Sequence, residues 1–285
     1  MFIRSETRQK QLVVPGNMQN YRLDLVISKL LNRSRKQAKY LIESGYVLVN
    51  RTKATFASRR VLPGDKIVCL AIKPSGRQTP HALEIIYEDA VVLAVDKPPG
   101  VLTNKIGSEH GRSAEELLFA KGLKVYPVHR LDRETSGVLL FAKTRHAQHL
   151  LMEQFKRREV KKKYIGIVDG ILRKKEGLIK GLMIGGHEYG ETFFRVQKEL
   201  KNATIVEFVP LTGRTHQIRL QLAGMGYSLV GEKKYLPYRQ KTNILFPRVA
   251  LHALEIEFMH PAKGNRVKYS CPLAADIQKL IGSLT

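Results

Sequence analysis

His129-Arg130-Leu131-Asp132-Arg133-Glu134-Thr135-Ser136-Gly137, running on into Val138-Leu139-Leu140-Phe141-Ala142-Lys143, joins a dense charged turn to a continuous apolar run. The run reads as a buried strand. Ahead of it a single aspartate, Asp132, lies between Arg130 and Arg133. Opposite charges within a few ångströms depress a carboxyl pKa, so Asp132 is expected to stay ionised and to supply an anion, not a proton. A structural ion pair would look the same in isolation. Thr135-Ser136-Gly137, however, makes a tight polar turn at the start of the strand, placed to clamp that carboxylate.

Outward from this stretch, the 285 residues are enough for one large domain, or a large one with a small companion. With 43% hydrophobic and 26% charged residues the chain is ordinary globular material. Its charge is not ordinary. Lys+Arg 49 against Asp+Glu 25 gives +24. Residues 1–80 hold 16 basic and 4 acidic residues and residues 81–285 hold 33 and 21, so the short N-terminal part carries half of the excess. That asymmetry is the footprint of a nucleic-acid-binding module. No amphipathic segment with a broad aromatic face accompanies it, which disfavours a membrane surface. Cys69 and Cys271 form no CxxC spacing, no apolar run is long enough to cross a bilayer, and Met1 to Val14 lacks a signal-peptide core. A soluble protein of a reducing compartment, the cytoplasm, is expected.

Residues 1–20 read as a flexible arm. Leu23, Val26, Ile27, Leu30 and Leu31 then recur at helical spacing, and Asn32-Arg33 breaks the pattern. Ser34 with Gln37 carries a capping-box signature for a second helix, whose apolar stripe is Ala38, Leu41 and Ile42. Arg35, Lys36 and Lys39 fall away from that stripe on a common surface. Strands at Val47–Val49 and Lys66–Ile72 complete a small α/β unit over 21–73, and 74–80 reads as a linker. The second domain, 81–285, alternates unevenly. Strand-like segments at 85–87, 91–95, 137–142, 164–168, 193–196, 204–211 and 254–258 outnumber helical patterns at 114–121, 146–157 and 215–223. Consecutive strands without an intervening helix predict an α+β fold with a mixed, largely antiparallel sheet.

A second constellation lies downstream: Leu211-Thr212-Gly213-Arg214-Thr215-His216-Gln217-Ile218-Arg219. A strand ends, a glycine turns, and Arg214 stands at the mouth of a helix whose core face includes Ile218 and Leu222. An arginine at such a junction is suited to grip a carboxylate or phosphate, although a helix cap with a surface arginine has the same pattern.

The stretches HRLDRETSGVLLFAK (129–143) and LTGRTHQIRLQLA (211–223) together resemble the RNA pseudouridine synthases that modify uridines of large-subunit ribosomal RNA and transfer RNA, the RluA type. Val95-Asp96-Lys97-Pro98-Pro99-Gly100, Lys163-Tyr164-Ile165-Gly166 through Gly170, Gly231-Glu232-Lys233-Lys234-Tyr235 and His252-Ala253-Leu254 resemble further motifs of that family, in the same order. Two departures stand out: Val101 to Asn104 lacks a histidine that many relatives carry, and Glu232 stands where Asp is common. Residues 21–73 resemble the S4 RNA-binding domain. The resemblance implies a pseudouridine synthase fold with Asp132 as catalytic aspartate and Arg214 as its partner. It further implies that Tyr164 stacks on the flipped uracil and that Arg130 helps to fill the space the base leaves. Arg33, Arg35, Lys36 and Lys39 are the RNA-binding candidates of the smaller domain. The implied partner is RNA, with large-subunit ribosomal RNA favoured over tRNA. No cofactor, metal or membrane is expected, and the protein is expected to be a monomer.

The residue types suit that chemistry. Isomerising uridine breaks the N1–C1′ bond, turns the uracil over and joins C5 to C1′, consuming no water, redox partner or nucleotide. One ionised carboxylate can serve at the ribose as nucleophile or base, and an aromatic platform can hold the detached base without blocking its rotation. Other classes fit less well. A glycosidase needs a second carboxylate, for which Glu134 is the local candidate. His146 and His149 at i, i+3 have no accompanying ligand cluster, and no phosphate-loop glycine pattern occurs. A non-catalytic RNA-binding or ribosome-assembly protein on the same fold is the remaining alternative.

Overall fold

The computed structural model describes residues 10–32, 34–43, 46–50, 52–54, 56–69, 83–105, 112–182, 189–237 and 244–285. The chain forms two compact units, Met1–Thr79 and Pro80–Thr285.

In the first unit, strand β1 (Lys10–Val13) precedes helices α1 (Leu23–Leu30) and α2 (Arg35–Glu43), followed by β2 (Val47–Val49), β3 (Thr52–Lys53) and β4 (Lys66–Cys69). The sheet order is β1-β4-β2-β3. The helical stripes behave as their spacing predicts: Leu23, Val26 and Ile27 of α1 meet Ala38 and Ile42 of α2 over Val47, Val49 and Ile67. Part of the expected flexible arm is structured. Residues 10–13 pair antiparallel with β4, and Leu12 and Val14 pack on the same core. The basic face is also partly committed. Asp24, buried at the start of α1, receives Arg22 (3.1 Å) and Arg35 (3.0 Å), so Arg35 ties α2 to α1. Lys39 is exposed, whereas Arg33 and the side chain of Lys36 lie outside the described residues.

The second unit holds β5 (Glu84–Glu88), β6 (Val92–Lys97), α3 (Ala114–Phe119), β7 (Tyr126–Pro127), β8 (Ser136–Ala142), α4 (Arg145–Lys156) and β9 (Lys161–Asp169). It continues with β10 (Glu176–Leu182), β11 (Tyr189–Leu200), β12 (Ala203–Pro210), α5 (Gln217–Gly224), β13 (Ser228–Leu229), β14 (Leu251–Met259), β15 (Arg266–Ser270) and α6 (Ala275–Leu284). The main sheet runs β10-β11-β12-β9-β14-β8-β6-β5. Its described pairings are antiparallel apart from β14 with β8. The mixed, largely antiparallel α+β architecture is therefore the one expected.

The apolar run 138–142 is the centre of this unit. Every residue of β8 is buried. Val138, Leu140 and Ala142 face Ala147 and Leu151 of α4, while Leu139 and Phe141 face Ala114 and Leu118 of α3. Both helices are capped by side chains: Ser113 and Glu116 form a reciprocal capping box on α3, and Thr144 Oγ1 accepts from Ala147 N–H on α4. At its N-terminal end β8 meets β14, with Ser136 opposite His252 and Gly137 opposite Ala253. Gly137 has φ +112°, and a Cβ there would lie 2.1 Å from the Ala253 carbonyl oxygen. Gly137→Ala is thus expected to cost more than ~3 kcal/mol through backbone strain and overlap, measured as a fall in the urea midpoint. An unchanged midpoint would show that β14 can withdraw without loss.

Candidate active site

A cavity of about 520 Å3 opens at this β8–β14 junction. The loop before β8 brings Arg130 and Asp132 to it, β9 brings Lys162 and Tyr164, and the turn from β12 into α5 brings Arg214 and His216. All four residues expected at the site, Asp132, Arg130, Tyr164 and Arg214, line this one cavity. Asp132 is the sole carboxylate among the described residues that do so.

The loop carrying Asp132 is fastened from beneath by residues 97–103. Lys97, fully buried, donates to the carbonyls of Val101 (2.8 Å) and Pro98 (3.1 Å) and reaches that of Arg133 (3.4 Å). Burial pushes its ammonium down to about 7. Thr103 Oγ1 accepts from Leu131 N–H (3.0 Å), and Thr135 N–H closes the turn on the Asp132 carbonyl (3.0 Å). Gly100 N–H donates to the Arg133 carbonyl (2.7 Å), and Arg133 Nε donates back to Gly100 (3.1 Å). Arg133 therefore braces the loop by a backbone contact. Glu134 is structural too: its carboxylate accepts from Val249 N–H (3.0 Å), and its carbonyl accepts from Arg248 (3.0 Å). Arg248 is nearly buried and also donates to Ser136 Oγ (3.1 Å) and, at 2.7 Å from both Nε and Nη2, to Asp276 of α6.

The charge on Asp132 is met by α5. Arg219 Nη1 lies 3.6 Å from one carboxylate oxygen and His216 Nε2 3.8 Å from the other. Arg219 is shared. Its Nε and Nη2 donate to Glu232 at 2.7 and 2.8 Å, and Glu232 accepts further from the backbone N–H groups of Lys233 and Lys234. Burial alone would push the Glu232 carboxyl up, but Arg219 and these N–H groups outweigh it and hold it below the usual range. His216 adopts a left-handed backbone (φ 55°) at the start of α5, and its Nδ1 is hydrogen-bonded to the Tyr235 hydroxyl at 2.7 Å. Burial pushes the His216 ring below its ordinary pKa. The stretch 211–219 contains Arg219, but i+5 spacing from Arg214 did not mark it as an Asp132 neighbour. Glu232 was visible only as a departure from the Asp common at that place. Its carboxylate reaches Arg219 while accepting from the N–H groups of the residues that follow it.

Tyr164 sits on β9 opposite Ala253 of β14 and Phe208 of β12. Burial and the nearby Asp132 charge push its phenol up, so the ring is neutral. His129 is an orienting residue. Its Nε2 accepts from Leu140 N–H (3.0 Å), its ring stacks on Phe155, and burial pushes it down to about 3. His146 and His149 are exposed on α4, and the described residues contain no cluster of three metal-ligating side chains. No helix among the described residues is long and apolar enough to cross a membrane.

A two-unit chain whose larger part is this sheet, with one carboxylate among cations beside a tyrosine platform, has the features of an RNA-modifying isomerase. The RNA pseudouridylate synthase family matches residues 91–224, and the S4 domain family matches residues 22–67. Ribosomal large subunit pseudouridine synthase D of Nitrosomonas europaea is 32% identical over 96% of this chain and 87% of its own. An uncharacterized RNA pseudouridine synthase, YlyB of Bacillus subtilis (strain 168), is 31% identical over 97% and 98%. The solved structure of human RNA pseudouridylate synthase domain containing 4 shares the fold, with a TM-score of 0.60 and 24% identity over 70% of this chain and 92% of that one. The chain belongs to the RNA pseudouridine synthase family and carries an N-terminal S4 domain.

Removing one partner of a buried ion pair leaves the other charge uncompensated. Glu232→Ala is therefore expected to cost roughly 3–5 kcal/mol in urea unfolding, and to lower activity further by releasing Arg219 from its place beside Asp132. A variant of wild-type stability would mean that Arg219 relaxes onto Asp132 alone.

Proposed function

We propose that this protein isomerises uridine to pseudouridine in large-subunit ribosomal RNA, with Asp132 as the catalytic carboxylate. The observation that carries the assignment is that Asp132 is the one carboxylate among the described residues of a cavity lined with cations and Tyr164. Held by Arg219 and His216, that carboxylate is an anion positioned for the ribose, where it acts as nucleophile or base. The N1–C1′ bond breaks, the uracil turns over, and C5 joins C1′; the proton lost from C5 is balanced by the one gained at N1. Tyr164 supplies the face on which the detached base stacks. Arg214 holds the carboxylate or the adjoining phosphate, and Arg130, exposed at the mouth, enters the space left in the RNA stack.

A two-carboxylate hydrolase does not suit this cavity, because Glu134 is engaged by Val249 N–H. The choice of ribosomal RNA rests on relatives named as ribosomal large subunit pseudouridine synthases. In this reading Lys39 and the basic residues Arg33 and Lys36 contact RNA, in keeping with an S4 domain over residues 22–67, and Arg35 ties the two helices together. Action as a monomer in the cytoplasm is part of this proposal, the latter in keeping with a ribosomal RNA substrate.

Asp132→Asn is expected to lower tritium release from 5-tritiated uridine RNA by ~10²–10⁴-fold or more, with RNA affinity nearly unchanged. Full activity in this variant would remove Asp132 from the chemistry. Pseudouridine mapping of total RNA from cells with and without the gene identifies the target. Loss of a site in tRNA instead would transfer the substrate, and no lost site together with intact RNA binding would leave a binding protein.

A further inference from the structure

Strand β9 opens with three consecutive lysines in unequal surroundings. Lys161 Nζ lies 3.1 Å from Glu257, and Lys163 Nζ lies 3.4 Å from Glu207. Lys162 alternates to the cavity face, two residues before Tyr164 on the same side of the strand. Its Nζ donates to the Thr212 carbonyl (3.3 Å) and stands 6.0 Å from the centre of the Phe155 ring. No carboxylate among the described residues pairs with it. His129, the titratable neighbour that feels its charge, is pushed down by burial and then by the Lys162 charge, and its Nε2 accepts from Leu140 N–H.

An ammonium has three protons to donate, and here one carbonyl receives one of them. Burial pushes Lys162 down to about 8. Such a charge is kept at a cost in stability, which points to a ligand. A second cation lines the same cavity. Arg158, in a left-handed conformation (φ 62°) just past α4, makes no ion pair with a described residue.

We infer that Lys162, with Arg158 of the same cavity, forms a subsite for a backbone phosphate flanking the target uridine. This rests on reading the cavity as the uridine-isomerising site. Two observations favour phosphate over a uracil carbonyl. The desolvated ammonium lacks a counter-charge, which a phosphodiester supplies and neutral uracil does not. Lys162 also follows exposed Lys161 at the start of β9 and is less deeply buried than Tyr164, which suits the sugar–phosphate chain that must stay toward solvent when the base enters.

The test uses the full-length protein with isotope-labelled lysine side chains, the Lys162 signal being assigned by Lys162→Arg. Uridine, uridine 5′-monophosphate, uridine 3′-monophosphate and inorganic phosphate are the probes. The Lys162 titration midpoint is expected to rise with one or both monophosphates, as a nearby anion favours the charged form, and to stay in place with uridine. The responding monophosphate distinguishes a 5′ from a 3′ phosphate. No response to any probe, or an equal response to uridine, overturns the subsite. Lys162→Met, which replaces an uncompensated charge by an apolar side chain of similar length, is expected to be at least as thermally stable as wild type. Its KM for RNA rises about tenfold, more than kcat falls. Lower stability with unchanged KM would make the lysine structural and end the proposal. If wild-type protein releases no tritium from any RNA, the isomerase reading fails, while the titration still decides the phosphate subsite.

Discussion

The parallel pairing of β8 with β14 is the contact on which the site depends. Two strands whose facing residues, Ser136 and His252, are 116 positions apart meet at a point where only a glycine backbone fits. Once Gly137 lies against Ala253, β14 has β8 on one side and β9 on the other. Ala253 then faces Tyr164 across the second pairing, while the Asp132 loop leads into β8. Cavity residues from distant parts of the chain are brought together by backbone geometry, and side chains need only complete the arrangement.

Electrostatics completes it. A chain of net charge +24 must keep one carboxylate accessible among many cations, and it does so by giving most nearby cations fixed partners. Lys97 is occupied by backbone carbonyls, Arg133 by Gly100, and Lys161 and Lys163 by glutamates. Arg219 is divided between Glu232, which it holds at hydrogen-bonding distance, and Asp132, which it approaches less closely. The Arg219 guanidinium thus reaches Asp132 from a position that Glu232 fixes. His216, strained at the helix start and held by Tyr235, covers the other Asp132 oxygen.

Much of this was legible from residue patterns, and what was not has a physical reason. The alternating and apolar runs that became β8, β9, β12 and β14 carried clear signals, as did the helical stripes of α1, α2 and α4. Strand β10 did not, because Gly177 and Gly181 interrupt it, and the pairing of β1 with β4 depends on a partner more than 50 residues away. The cavity residues Asp132, Tyr164 and Arg214 were recognisable by motif, but the approach of Arg219 to the carboxylate was not. Arg133, its chain neighbour, turns to Gly100, whereas Arg219 arrives from a helix. Adjacent residues on a turn point in different directions, so only the folded geometry identifies the cations that share the charge.

Arg248 ties together segments that are made at different times. One guanidinium holds the Glu134 carbonyl behind the Asp132 loop, the Ser136 hydroxyl at the start of β8, and Asp276 on α6. The loop is synthesised more than a hundred residues before its clamp, and the clamp gains its own anchor only when residue 276 has emerged. During synthesis the Asp132 turn therefore exists for most of the time without its final support. Until helix α6 has been made, Arg248 lacks the carboxylate that fixes it behind the Asp132 loop.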